Sequence, residues 1–253
     1  MEIEDHGGED FWGNPLYDGA PDIGAHEWQS PASRNNPDAT GMTADAAHDP
    51  VAWLDGEPVS AAEFQRELRA QRWKAAHAFH QEHGAPGPGR WEGKRVNGET
   101  APEMLRRLAL EAVLHRQAER LLALEMGIID SASFRGVMRR RDTENRLRSA
   151  KLEQGEPVYG PERFCEQTYA DYFADRTAQA VKARLAETEL ALSEEELRRR
   201  YDRMASGAWP FEAVRGAIQM AHVDNAYPEV VRARLEEAEV RLNEDTLRNA
   251  RVW

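Results

Sequence analysis

The sequence predicts a mainly α-helical domain joined at its ends by a small two-stranded β element and preceded by a loosely ordered tail. Long stretches carry apolar residues at helical spacing. Helix-start signals recur, as in Ser60 with Glu63 and Ser193 with Glu196. Two short alternating segments, 51–54 and 239–242, lie near the two ends of the compact part.

Residues 1–50 are set apart by composition. They are rich in Gly, Pro, Asp and Asn, and Phe11, Trp12, Tyr17 and Trp28 follow no helical period. Successive turns with short extended pieces are expected there, running into a polar linker over 29–50. The compact part, 51–253, opens with Val51-Ala52-Trp53-Leu54 as a strand, Asp55-Gly56 as a tight turn and Glu57-Pro58-Val59 as a return. Ser60 and Glu63 then write a capping box, with Val59 and Phe64 at staple spacing. The helix they start reaches His83, carries Phe64, Leu68, Ala75 and Phe79 along one side, and is stopped by Gly84-Ala85-Pro86-Gly87-Pro88-Gly89.

The chain is organised around the stretch Pro102 to Ile129. Met104, Leu105, Leu108, Ala112, Leu114, Ala118, Leu121, Leu122 and Leu124 cover a wide apolar arc, while Arg107, Glu111, His115 and Glu119 recur on the opposite side. That pattern is a core helix able to receive partners on two flanks. Gly127 suits a left-handed cap that Ile128 closes. Ser131–Glu153 reads as a further helix rich in arginine. Gly155 to Pro161 is a break, and a long helix follows over about Glu162–Glu189. Ser193 caps another helix through Leu197 and Tyr201, and Gly207 and Pro210 interrupt it. The helix begun by Phe211, Val214 and Ile218 is expected to bend or divide at Pro228. Glu239-Val240-Arg241-Leu242 closes the chain as a strand, before a short turn of helix capped by Asn243. Strands of four residues are unstable alone, so 51–54 and 239–242 are expected to pair antiparallel.

Totals exclude several classes. The chain has 253 residues, 41% hydrophobic and 31% charged, and a formal net charge of -12. An acidic balance argues against general affinity for nucleic acid or anionic lipid. No apolar run approaches the roughly 20 residues of a bilayer crossing, so no membrane insertion is expected. Cys165 is the single cysteine, which leaves no intrachain disulfide and no cysteine metal knuckle. The first residues, with Glu2, Glu4 and Asp5, do not read as a signal peptide.

Site chemistry is sparse. His77 and His80 are i,i+3 neighbours on one helix, with His83 beyond them, but no Cys or Asp joins them. They read as partly exposed histidines, and no metal or cofactor is expected. No nucleophile elbow or phosphate-binding glycine loop is written. The arginines Arg135, Arg139, Arg140 and Arg141 have three readings: a solvated helix face salted by acids, a docking patch for an acidic partner, or a nucleic-acid contact. Large aromatics, Phe79, Trp91, Tyr159, Phe164, Tyr172, Phe173 and Trp209, exceed what simple helix pairs absorb. They are candidates for a peptide-binding groove, and their alternative uses are ordinary core or a homodimer seam.

The order of elements resembles a known family. Val51-Ala52-Trp53-Leu54-Asp55-Gly56-Glu57-Pro58-Val59-Ser60 with Glu63-Phe64 resembles the opening of SurA/PrsA-like foldases. Leu105 to Gly127-Ile128 resembles that family's second helix. Ser193-Glu194-Glu195-Glu196-Leu197 with Tyr201 resembles the helix leading into a parvulin-type prolyl isomerase domain, and Phe211-Glu212 with Val214-Arg215 and Ile218 resembles the return helix. The span between Tyr201 and Phe211 is too short for that domain. The resemblance therefore implies a SurA-like N-terminal chaperone domain without isomerase activity, with an inserted helical arm over about 129–192. Its implied function is ATP-independent binding of unfolded or extended polypeptides in an extracytoplasmic setting. Separately, Gly19-Ala20-Pro21-Asp22-Ile23-Gly24-Ala25-His26-Glu27, within residues 10–28, resembles the closing segment of secreted right-handed parallel β-helix proteins. That likeness implies an alternative: a structural or partner-attachment module associated with a carbohydrate-related β-helix protein.

Overall fold

A computed structural model of the chain describes residues 49–84, 91, 93–204 and 209–251. Residues 1–48 of the tail, with the phrase at 10–28 and with His6, His26 and His48, lie outside the described residues, while Pro50, read as the end of the linker, opens β1. In chain order the elements are β1 (Pro50–Leu54), β2 (Glu57–Ser60), α1 (Ala61–His83), α2 (Ala101–Glu125), α3 (Phe134–Glu153), α4 (Glu166–Glu187), α5 (Glu194–Asp202), α6 (Phe211–Glu237), β3 (Val240–Leu242) and α7 (Glu244–Asn249). The fold is mainly helical with one small antiparallel sheet.

β1 pairs antiparallel with β3 in the register Ala52–Leu242, Trp53–Arg241 and Leu54–Val240, the pairing the two alternating segments call for. The sheet has three strands, however, in the order β2-β1-β3, where the sequence suggested two. Asp55 and Gly56 both take positive φ, 50° and 81°. That is the turn whose twist matches a two-residue hairpin, so the return segment pairs with β1 and places it in the centre. The first and last parts of the described chain are thereby tied through one strand.

Caps fix most helix ends. Ser60 accepts from the Glu63 N–H, and Thr100 with Glu103 forms a full capping box ahead of α2. Helix α2 stops at Glu125, just ahead of Gly127, where the sequence placed its cap. Gly127, at φ 67°, sends its N–H to Leu124, and Ile128 sends its own to Ala123 at 2.8 Å. These are the paired bonds of a Schellman motif, which close the orphan carbonyls and turn the chain out of the helix. Ser133 and Cys165 cap α3 and α4, which sets both starts a few residues later than the sequence suggested. Pro228 does not divide α6, which is one helix of 27 residues. A proline there removes the bond to the Asp224 carbonyl. Both residues are exposed, which leaves that carbonyl open to hydration.

Helices α1 and α2 pack antiparallel, as the pairs Glu63–Arg120 and Glu67–Arg116 show. Their apolar faces and the sheet enclose one core, with Phe64, Leu68, Phe79, Leu105, Val113 and Leu247. The second half of α2 meets α4 and α6 in another, around Leu121, Val181, Leu185, Val223 and Val231. This is the two-flanked use expected of the central helix. A smaller cluster joins α3 to α4 through Phe134, Val137, Phe164 and Tyr169, and another joins α5 to α6 through Leu197, Phe211 and Ile218.

Between the apolar cores lies a charged layer the sequence did not announce. Glu63 is fully buried, and its carboxylate leaves the capping role for Arg120, whose guanidinium donates to it at 2.7 and 2.9 Å. Arg120 also donates to Gln117 Oε1 and to the Ala132 carbonyl at 2.7 Å. It thus ties α1, α2 and the α2–α3 connection at one point. Removing one partner of such a pair leaves a buried charge, at a cost of about 3–5 kcal/mol. Arg120→Ala is therefore expected to lower stability by that order in urea denaturation. The double change Glu63→Leu with Arg120→Met is expected to recover most of the loss, because matched apolar replacements of a buried pair are often neutral.

Candidate interaction surface

The aromatics singled out by sequence do not gather in one groove. Phe79 is fully buried in the α1–α2 core, with Trp91 packed on it at 5.7 Å between ring centroids. Phe164, Tyr172 and Phe173 do come together, on and beside α4. Phe164 stacks on Tyr172 at 5.2 Å and meets Tyr169 edge-on, while Phe173 stacks on Tyr169. Phe164 is buried within this group, whereas Tyr172 is 42% exposed. Tyr159, in the α3–α4 connection, and Trp209, ahead of α6, are exposed at 88% and 68%. The Tyr201 hydroxyl donates to the Trp209 carbonyl, which fixes the backbone of that segment.

The arginines of α3 divide between internal and free positions. Arg140 pairs with Asp130 and lies over the Phe173 ring, holding the Asp130 carboxyl below its ordinary value. Arg141 pairs with its neighbour Asp142. Arg148 lies 4.5 Å over the Phe164 ring and donates to Glu144 and to the carbonyls of Tyr159 and Pro161, stapling the connection onto α3. Arg135 and Arg139 are exposed and form no ion pair among the described residues. An open depression of about 530 Å³ beside them is lined by Arg139, Arg140, Thr143, Leu147 and Tyr169, among others.

The buried charges make no ligand pocket. The cavity bounded by Glu63, Arg66, Arg116, Arg120 and Phe173 holds about 20 Å³, room for one water. On its rim Arg66 bridges Glu67 and Asp171, and Arg116 joins the same two carboxylates. His77 and His80 stand exposed on α1, and the His83 ring bonds the Arg95 carbonyl. Among the described residues no group of three or more His, Cys, Asp or Glu has metal-binding geometry. No helix is long and apolar enough to cross a membrane among those residues. Cys165 caps α4, where bonds from the Thr168 hydroxyl and N–H hold its thiol below the ordinary value.

Sequence reasoning passed over the edge of the sheet. All of β3 is exposed, with Val240 at 40% and Leu242 at 43%, and Arg241 lies 4.9 Å over the Trp53 ring. Three residues of strict alternation were the signal. The strand is held in place from its start. Asp55 accepts from Arg234 at 2.6 Å and from the Glu239 N–H at 2.8 Å, while Arg234 also pairs with Glu125 of α2.

No family model matches the chain, and no solved structure does. Over 176 residues the chain is 26% identical to the chaperone for lacto-N-biosidase of Bifidobacterium longum subsp. longum, covering 67% of this chain and 62% of that protein. The chain thus spans less than two thirds of the length of that curated relative.

Three expectations follow from these placements. Bonds from Arg234 and then the Glu239 N–H lower the Asp55 carboxyl pKa below 3.8 in the fold. A depressed carboxyl stabilises the fold above its unfolded pKa, and that contribution disappears as pH falls through the folded value. Asp55→Asn retains the left-handed turn but not the charge, so its melting temperature is expected to approach that of the parent as pH drops from 5 to about 2. Phe164→Ala is expected to cost about 3–5 kcal/mol in chemical denaturation. Trp209→Ala, at an exposed site, is expected to stay within about 0.5 kcal/mol.

Proposed function

We propose that the chain is an ATP-independent, chaperone-like binding module that serves one defined client, a carbohydrate-active enzyme, in preference to unfolded polypeptides at large. The observation that carries this reading is the likeness over 176 residues to a protein named as the chaperone for lacto-N-biosidase. The phrase at 10–28 that resembles the end of carbohydrate-related β-helix proteins accords with such a client. So does the way the fold uses its aromatics. A holdase for many clients needs a broad, adaptable apolar surface. Here Phe79 and Phe164 are consumed by cores. The three most exposed aromatics among the described residues are apart in the chain: Trp73 on α1, Tyr159 in the α3–α4 connection and Trp209 ahead of α6. Small separated contacts suit a partner whose own surface supplies the complementary arrangement. No prolyl isomerisation is assigned to the chain, since the stretch between α5 and α6, residues 203–210, is too short to form that domain.

Refolding of a denatured lacto-N-biosidase tests the reading. At equimolar chain, without nucleotide, the yield of active enzyme is expected to rise severalfold, while citrate synthase and rhodanese aggregate as they do alone. Equal protection of all three would restore the general holdase. No gain for the enzyme at tenfold excess would remove the chaperone reading.

A further inference from the structure

We propose that the outer edge of β3 takes up an extended segment of the client as a fourth strand, one with apolar residues at alternate positions and basic residues at its ends. The inference rests on the reading above in taking the client to be a polypeptide.

The hydrogen-bond phase of the sheet shows that this edge has no partner strand among the described residues. The Asp55 N–H bonds the Glu239 carbonyl, and the Asn243 N–H bonds the Val51 carbonyl. In an antiparallel ladder bonded and non-bonded pairs alternate. With Trp53 opposite Arg241, the residues of β3 that bond β1 are therefore Glu239, Arg241 and Asn243. The N–H and C=O groups of Val240 and Leu242 point the other way, where the strand order places no neighbour among the described residues. Natural edges carry devices against such pairing, and the opposite edge has one. Pro58 lies in β2 opposite Trp53, at a non-bonded position, so its missing N–H is one that would face outward. β3 has no proline.

The side chains define what fits. Ala52 and Leu54 are fully buried, and Leu242 and Val240 stand directly opposite them on the same face. The two exposed side chains are therefore the open rim of the core, and an added strand with apolar residues at alternate positions would cover them. Charge sets the ends. Glu236, Glu237, Glu239, Glu244 and Asp245 flank the strand and are exposed. Of the cations nearby, Arg234 pairs with Asp55 and Glu125, Arg232 pairs with Glu229 and Glu236, and Arg241 lies over Trp53, which leaves exposed Arg248 on α7 against the more numerous carboxylates. An acidic border around an open edge selects lysine or arginine beside the paired stretch. Two outward residues offer few main-chain bonds, so this contact adds register and selectivity to a larger interface.

The test uses the full chain and the peptide Lys-Lys-Val-Thr-Val-Thr-Val-Lys-Lys, followed by fluorescence anisotropy and by amide hydrogen exchange. The peptide is expected to bind, to slow exchange at the Val240 and Leu242 amides, and to weaken with rising salt. Val240→Pro and Leu242→Pro remove only outward N–H groups and are expected to raise the dissociation constant at least about tenfold, equivalent to about 1.4 kcal/mol. If either proline variant melts early, Val240→Lys and Leu242→Lys give the same readout. Binding that leaves both amides unprotected, unchanged affinity in the variants, equal affinity for a peptide N-methylated on its pairing edge, or no binding at all would overturn the proposal. So would a shift from dimer to monomer in the variants, because a second copy would then fill the edge. Refolding of lacto-N-biosidase is read separately. A gain there with a silent edge leaves the chaperone reading standing without this contact, and loss of both removes the two together.

Discussion

Arg120 is the point on which the helical assembly depends. A guanidinium on the face where α2 turns toward α1 and α3 must find acceptors for its donors or destabilise the fold. It finds them in the Glu63 carboxylate, Gln117 Oε1 and the Ala132 carbonyl. Each acceptor belongs to a different stretch, so satisfying one side chain sets how far α1 slides along α2 and where the chain turns toward α3. Apolar packing alone tolerates shifts of register, because Leu and Ala side chains on neighbouring turns are nearly equivalent. A bidentate pair does not, since its geometry is lost within a fraction of an ångström. Glu67 and Arg116, one turn along on each helix, repeat the constraint at 3.0 Å.

The sheet imposes the second constraint, between the ends of the described chain. β1 is central, so the hairpin that starts α1 and the strand that follows α6 share one set of backbone groups. Asp55 reinforces the junction. The carboxylate at the hairpin tip holds both the backbone entering β3 and Arg234 near the end of α6, and Arg234 in turn reaches α2. The sheet, the central helix and the last long helix are therefore braced through one pair of side chains. The placement of β3 at an edge follows from this bracing: its inner groups are taken by β1, and the chain leaves at once for α7 through the Asn243 cap.

Much of this was legible in the sequence where a local rule decides the outcome. Ser60, Ser193 and Asn243 cap as read, Gly127 turns the chain as read, and β1 meets β3 in the expected sense. The reading failed where a residue answers to a distant partner. Glu63 satisfied a local capping pattern, yet the buried guanidinium of Arg120, 57 positions away, is a stronger donor to its carboxylate than the backbone N–H of the cap residue. Pro228 signalled a break, but a proline whose freed carbonyl faces water is tolerable when Val223, Tyr227 and Val231 are held in the core on the other side. Phe164 looked available for binding because nothing in the local sequence reveals that Phe134 and Val137 close over it. The third strand was spelled out by Asp55-Gly56 and Glu57-Pro58-Val59, but a return of so few residues also reads as a plain turn.

The same distinction bears on the functional reading. Among the described residues the fold is built around several small cores, and each takes its own aromatics, as Phe79, Tyr227 and Phe164 do. Exposed features among the described residues include separate large side chains such as Trp73 and Trp209, and the outward backbone of β3. An isolated tryptophan binds well only where a partner presents a pocket for it, which is a property of one partner and not of unfolded chains in general. A free strand edge is less selective in side chains but demands an extended segment, and the acidic residues around β3 restrict which extended segments gain by approaching. Together these features favour recognition of a client caught while a strand of its own is still unpaired. Under the proposed function, that stage would end when the client's β-structure closes and withdraws the strand from the edge, so release would follow from the client's folding without a nucleotide.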